Sequence, residues 1–272
     1  MANSLTGPAH YLEKYGDQSV VCNKFALNKL GVERGHCFLK IGEYVILCMP
    51  FQFGFKRSLF FASLSKQELL FFKRYVNEII GLSITFTRAG RGGAPLKFFI
   101  RCNLTTIGQM KGRENVGLFV VDFKNTPNDF IIIMGEFLEN QDRIKTQYED
   151  YGKTAIRITP VTAKMLGYNL YAAIVEPNMA VRRIQLYSLS TKTIEHLEAP
   201  GSSYRFPGTS VVYQLFFKKY RIIITGTIAS VVTLSQGIVK TVSTLAFSPE
   251  LVEIINDYWY NFHSSPALEK AR

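Results

Sequence analysis

The 272-residue sequence predicts a mainly β fold with peripheral helices, divided into two domains. Three observations carry this. Phe (21) and Tyr (14) are abundant among many Ile, Val and Thr, the composition that suits pleated surfaces. Strand-like runs recur through the second half, separated by turn residues at regular spacing, the pattern of an antiparallel barrel or sandwich. A polar segment rich in charge and amides, Asn140–Asp150, interrupts the chain near its middle and is followed by Gly152. It places the boundary near Tyr151, with one domain over 1–150 and the other over 151–272.

Residues 1–36 read as short helical pieces, Ala9–Tyr15 and Asn23–Leu30. Cys37–Ile41 and Tyr44–Cys48 flank Gly42-Glu43, a two-residue hairpin signal with Gly first. Ser65 to Glu68 is a capping box, the Glu three residues after the Ser. Leu69, Phe72, Val76 and Ile79 follow at helical spacing, which predicts a helix stopped by Gly81. Leu82–Thr87, Leu96–Cys102 and Val116–Phe123 read as strands, and Pro127-Asn128-Asp129 as a turn and N-cap. In Phe130–Tyr148 the run Ile131-Ile132-Ile133 favours a strand while Glu136 to Lys145 favours a helix; helix is the better fit overall. In the second half Thr154–Ile158 is a strand, and Thr159-Pro160 opens a short helix ended by Gly167. Strands are predicted at Leu170–Val175, Arg182–Ser188, Thr193–Leu197, Ser210–Phe217, Tyr220–Val232 and Ile238–Ala246. Ser248-Pro249-Glu250 caps a final amphipathic helix with Leu251, Ile254, Ile255, Tyr258 and Phe262 on its apolar side, most simply docked on its own domain.

Several function classes are disfavoured. Cys22, Cys37, Cys48 and Cys102 match no zinc spacing and read as buried free thiols. No apolar run reaches the ~18 residues that span a bilayer, and Met1–Tyr15 lacks the apolar stretch of a secretion signal, so a cytosolic location is expected. His10, His36, His196 and His263 sit in no triad or metal motif. His36 and Cys37 are neighbours on a strand and therefore face opposite ways. The expectation is a non-enzyme without catalytic residues, metal or cofactor.

The net charge is +11, with 19 basic against 14 acidic residues up to Asp150 and 13 against 7 beyond it. Such a field attracts phosphate-bearing partners without choosing among them. The loop Arg88 to Gly93 offers guanidinium groups and backbone amides to a phosphate, but reads more simply as a hairpin tip. Lys192, Arg205, Lys218, Lys219 and Arg221 lie near turns and would converge if one barrel end gathered them, with Tyr187, Tyr204 and Tyr213 as stacking partners for a base.

The order of features in the second half resembles a PilZ domain: the strand Arg182–Ser188, the turn Ser190–Thr193, the strands either side of Lys218-Lys219, the Gly226-centred strand and the closing helix. From about Phe38 onward the chain is similar to two-domain PilZ proteins of spirochaetes, through Phe38-Leu39-Lys40, Leu96-Lys97-Phe98-Phe99, Pro127-Asn128-Asp129, Ile158-Thr159-Pro160 and Lys164-Met165-Leu166-Gly167. The resemblance implies two PilZ-like antiparallel β-barrels in tandem and a signalling role in the cyclic di-GMP lineage, for instance in motility. PilZ domains bind cyclic di-GMP through RxxxR and [D/N]xSxxG segments. Aligned on Thr159-Pro160, the two arginines fall on Tyr151 and Ala155, with Lys153 and Arg157 nearby. The second motif falls on Ser188 to Thr193, where only Ser190 is kept; Ser188 replaces the acid or amide and Thr193 the glycine. Each lost charge-assisted hydrogen bond removes about 1.5–3 kcal/mol, and tenfold in affinity is about 1.4 kcal/mol. Weak or absent cyclic di-GMP binding and a protein partner are therefore expected. The alternatives are a displaced cyclic di-GMP site using Lys153, Arg157, Arg182 and Arg183, and a nucleic-acid-binding β-barrel.

Overall fold

Strand alternation organises both halves of the chain. The computed structural model describes residues 7–87, 94–175, 180–200 and 206–263, and divides into two units, Met1–Asn140 and Gln141–Arg272. The Arg88 to Gly93 loop, Tyr204 and Arg205 lie outside the described residues.

The first unit opens with α1 (Pro8–Tyr15), β1 (Ser19–Val21) and α2 (Lys24–Leu30). The strands β2 (Val32–Ile41), β3 (Tyr44–Leu47), β4 (Met49–Gly54) and β5 (Arg57–Ser63) follow, then α3 (Lys66–Phe72). The unit is completed by β6 (Ile79–Phe86), β7 (Leu96–Gln109), β8 (Val116–Phe123) and the first half of α4 (Asn128–Tyr151). The eight strands form one sheet in the order β1-β4-β5-β8-β7-β6-β2-β3, with β1 and β3 at its edges. The expected hairpin joins β2 to β3, Ile41 opposite Tyr44, and Gly42 takes the positive φ of 58° that a two-residue turn asks of it. The Ser65–Glu68 capping box forms in both directions, 2.7 and 3.3 Å. The helix it starts is shorter than the spacing predicts. α3 ends at Phe72, a 3-10 turn follows over Lys73–Tyr75, and Asn77 at φ 74° turns the chain into β6. Ile79 and Gly81 therefore belong to a strand, where pairing with β7 outweighs the local helical pattern.

α4 settles the ambiguity of Ile131-Ile132-Ile133 in favour of helix. Tertiary burial outweighs their β propensity: Phe130, Ile131, Ile133, Met134, Phe137 and Leu138 all enter the core of the first unit. Phe130 is fully buried, its ring packed edge-on at 5.6–6.1 Å from Phe53, Phe86, Phe98 and Phe123. The helix continues through Asn140–Asp150, so the polar segment is a helical face and not an irregular connector.

In the second unit the remaining turns of α4 are followed by β9 (Ile156–Arg157), α5 (Pro160–Leu166), β10 (Tyr168–Val175) and β11 (Val181–Leu189). Then come β12 (Thr193–Glu198), β13 (Ser210–Phe217), β14 (Arg221–Thr233), β15 (Val239–Leu245) and α6 (Pro249–His263). The sheet runs β10-β13-β14-β15-β12-β11, and β10 pairs with β11 as well, closing a six-stranded barrel. β9 pairs with the far end of β11. α5 starts as expected, with Thr159 accepting from Thr162 N, Pro at the first position and Gly167 at φ 65° as terminator. Leu251, Ile254, Ile255 and Tyr258 of α6 are buried in the same core as the barrel strands. Of the two expected barrels, the second closes; the first unit is an eight-stranded antiparallel sheet.

Cys22, Cys37, Cys48 and Cys102 are free thiols, all but Cys22 buried. Cys37 and Cys48 share a 3.4 Å hydrogen bond, which with burial pushes the Cys37 thiol far up. Burial raises Cys22 and Cys102 to about 12. At pH 8 an aromatic disulfide reagent should label the native chain slowly at all of these three sites, and quickly after denaturation. Gly135 on α4 lies against Tyr11: a Cβ there would fall 2.1 Å from a ring carbon. Gly135→Leu should displace α1 and cost about 1–3 kcal/mol, read from the urea midpoint.

Candidate functional site

The segment aligned with the PilZ motifs lies at the far end of β11. β11 carries a bulge there: Leu186 pairs with His196 and Ser188 with Glu195, so Tyr187 is the extra residue. On the partner side Arg157 of β9 lies opposite Ser188. Arg157 places its guanidinium 5.0 Å from the Tyr187 ring, and Lys240 its ammonium 4.7 Å from the same ring. Lys240 is also paired with Glu195 at 3.0 Å. Tyr187 is thus held between two cations, one of them already neutralised.

Ser190 is consumed by the turn between β11 and β12. Its Oγ accepts from Lys192 N at 3.1 Å and Thr193 N at 2.9 Å and lies 2.8 Å from Thr193 Oγ1. Its amide donates to Thr193 O at 2.8 Å. Ser190 is fully buried and Ser188 buried. Thr193 sits where a close backbone approach would need glycine, with its hydroxyl directed into the turn.

The linker positions hold the fold as well. The Tyr151 hydroxyl donates to Asn256 Oδ1 of α6 at 3.1 Å, beside Gln147 Nε2 at 2.9 Å. Lys153 is exposed and paired with Asp150 at 3.1 Å. Ala155 is exposed and carries no polar side-chain group. Arg157, Ser188, Ser190 and Thr193 are brought into one neighbourhood; Arg182 is not.

Arg182 and Arg183, adjacent in sequence, face opposite ways on β11. Arg183 faces outward, 5.6 Å from the Tyr171 ring. It forms one wall of a cleft of about 760 Å³ with Ile158, Pro160, Tyr168, Gln185 and Leu197. Burial raises the Tyr168 hydroxyl there to about 12. Arg182 shares the inward parity of Ile184 and Leu186. It pairs with Glu198 at 2.5 Å, and Glu198 accepts from His196 Nε2 at 3.0 Å. His196 is fully buried, its ring 5.5 Å from Tyr213, whose hydroxyl meets Ser243 Oγ at 2.7 Å. This internal network escaped sequence reading, although the shared parity of His196 and Glu198 on β12 is its signal.

Of the basic residues near turns that the structure describes, three are engaged by partners within the second unit. Lys219 pairs with Asp257 at 2.7 Å and Glu253 at 3.6 Å on α6, contacts that raise its ammonium above the usual range. Lys192 pairs with Glu149, and Arg221 donates to Gln214 at 3.1 Å. Tyr213 is sealed inside the barrel and offers no stacking face to a base. Among the described residues no cluster of three or more His, Cys, Asp or Glu is placed to hold a metal ion. No helix among them is long and apolar enough to cross a membrane. The arrangement suits binding: a mainly apolar cleft, one outward guanidinium and a cation-flanked tyrosine.

Residues 9–141 match the family described as the PilZN3 domain. No curated protein matches the chain. Among solved structures the chain is similar to Borreliella burgdorferi PlzA in complex with c-di-GMP, at 15% identity and TM-score 0.44, covering 92% of this chain and 97% of that one. It is similar to Escherichia coli YcgR in complex with c-di-GMP, at 13% identity and TM-score 0.33, covering 98% and 94%. It is also similar to the K. pneumonia MrkH–c-di-GMP complex, at 10% identity and TM-score 0.32, covering 94% and 99%.

Two substitutions test the structural roles of these residues. Ser190→Ala should cost about 1–3 kcal/mol in urea unfolding, because two turn amides lose their acceptor. Glu198→Ala should cost about 3–5 kcal/mol, because Arg182 and His196 lose their shared carboxylate inside the barrel.

Proposed function

We propose that the chain is a cytosolic, non-enzymatic signalling adaptor of the PilZ lineage, with a PilZ-like domain over 1–150 and a PilZ domain over 151–272. It works through protein contacts and binds cyclic di-GMP weakly or not at all. The PilZN3 match over residues 9–141 supports the lineage, and the closed six-stranded barrel supports the assignment of the second half. The observation that carries the reading is the state of the aligned motif positions. Tyr151 is bonded to Asn256, Ala155 has no group to offer, and the Ser190 hydroxyl is spent within its own turn. A guanine edge meets none of the donors and acceptors that the motif supplies, and removal of two bidentate arginines outweighs what one serine adds.

A second reading has its own observation. Arg157 and Tyr187 stand together at one end of β11, and Arg183 lines the 760 Å³ cleft along the same strand. A nucleotide seated there, with a base on Tyr187 and phosphates on Arg157 and Arg183, would make the chain a cyclic di-GMP receptor with a displaced site.

Titration calorimetry of the full chain with cyclic di-GMP decides between them. The adaptor reading expects no saturable heat at micromolar concentration. Saturable micromolar binding, abolished by Arg157→Ala or Arg183→Ala with unfolding midpoints unchanged, would replace it with the receptor reading.

A further inference from the structure

Gly81 is the third residue of the eight in β6, with no internal reason to be glycine. Its φ is outside the left-handed region, and a Cβ built on it would touch only the Lys40 Cβ, at an ordinary 3.6 Å. Pairing on both sides is in register, Lys40 with Gly81 and Gly81 with Arg101. A glycine inside a strand weakens it, and usually marks a bulge or the close approach of another body. No bulge lies at Gly81, and the side chains around it favour the close approach of another body.

The side chains around it agree. Lys40, Gly81 and Arg101 form one row across the outer face of the sheet, continued by Val45 on β3. The next row is Leu47, Phe38, Ser83 and Phe99. Phe99 is 80% exposed in the middle of a sheet face, with Val45 64% and Leu47 55% exposed. Gly81 and Ser83 make the floor of a cleft of about 350 Å³ between Val45 and Phe99. A second cleft, about 430 Å³, continues past Phe99 and Arg101 to Ile79 and Lys124. Exposed apolar surface gathered in this way marks an interaction site. Its charge is of one sign. Lys40 and Arg101 form no ion pair among the described residues. The carboxylate nearest Lys124, Asp122, is taken by Arg57 at 2.5 and 2.8 Å, which holds it below the usual carboxylate range.

We infer that this trough docks an acidic, amphipathic segment of a partner protein. One apolar side chain of the segment lies over Gly81 between Val45 and Phe99, and its carboxylates meet Lys40, Arg101 and Lys124. A nucleic-acid strand fits less well, because it needs successive stacking platforms and Phe99 is the one largely exposed ring on this face among the described residues. A bilayer fits less well, because the exposed Val45 and Phe99 flank a cleft floored by Gly81 and Ser83 and do not form one continuous apolar surface. The inference deepens the adaptor reading and rests on it for the class of partner.

The test is a display selection of peptides of about 16 residues, a helix of about 24 Å, against the full chain, followed by anisotropy titration of the selected peptides. Selected peptides should carry net negative charge with apolar residues at helical spacing. Gly81→Val fills the floor in a side chain suited to a strand, and Arg101→Glu reverses one cation. Each should weaken binding at least tenfold while leaving the unfolding midpoint in place or raised. Acidic peptides that bind equally well to Gly81→Val overturn the trough and leave the adaptor reading standing. Failure to select acidic peptides overturns the trough as well, as does tighter binding of oligouridylate or phosphatidylglycerol vesicles that Gly81→Val abolishes. Self-association of the chain that Phe99→Ser removes assigns the face to a second copy and overturns it too. The calorimetric result for cyclic di-GMP bears on the adaptor reading alone.

Discussion

Pairing of β10 with both β13 and β11 closes the barrel of the second unit, and that closure fixes which side every residue of six strands faces. A closed barrel has no spare face: alternate residues must enter a dry interior and the rest must meet solvent. Arg182 falls on the interior parity, so its charge has to be met there, and Glu198 and His196 meet it from the neighbouring strand. Arg183 falls on the other parity and is left to line the outer cleft. Two adjacent arginines thus have unrelated jobs because of one hydrogen-bonding choice elsewhere in the sheet.

Legibility in the sequence followed the range of the interaction. Helix caps and tight turns depend on a few neighbouring residues, and Ser65–Glu68, Gly42-Glu43, Thr159-Pro160 and Gly167 all appear where the sequence puts them. β4 and β5 were not legible. In β5 the run Leu59-Phe60-Phe61 places apolar groups at successive positions and hides the alternation of the buried Ser58, Phe60 and Ala62. At β4 the aromatics Phe51, Phe53 and, just beyond it, Phe55 do alternate, but Pro50 and a register shift beside it interrupt the strand signal. The helical spacing of Leu69 to Ile79 misled for the converse reason, since Val76 and Ile79 answer to a turn and to β7 and not to α3.

At the aligned motif, sequence supplied the residues and structure supplied their occupations. Arg157 and Ser188 are joined by the pairing of β9 with β11, a contact between segments about thirty residues apart that no local pattern announces. The bulge that turns Tyr187 toward Arg157 and Lys240 is equally silent in sequence, because it is a property of two strands counted against each other.

The turn at Ser190 has a consequence for how such chains are compared. Its hydroxyl terminates two backbone amides at the point where the chain reverses between β11 and β12. Any barrel of this build that keeps the reversal has a use for an oxygen there, whatever nucleotide it meets or fails to meet. Of the residues that a signature pattern scores, this one carries information about chain reversal first, and its survival in a sequence is evidence of architecture before it is evidence of a messenger.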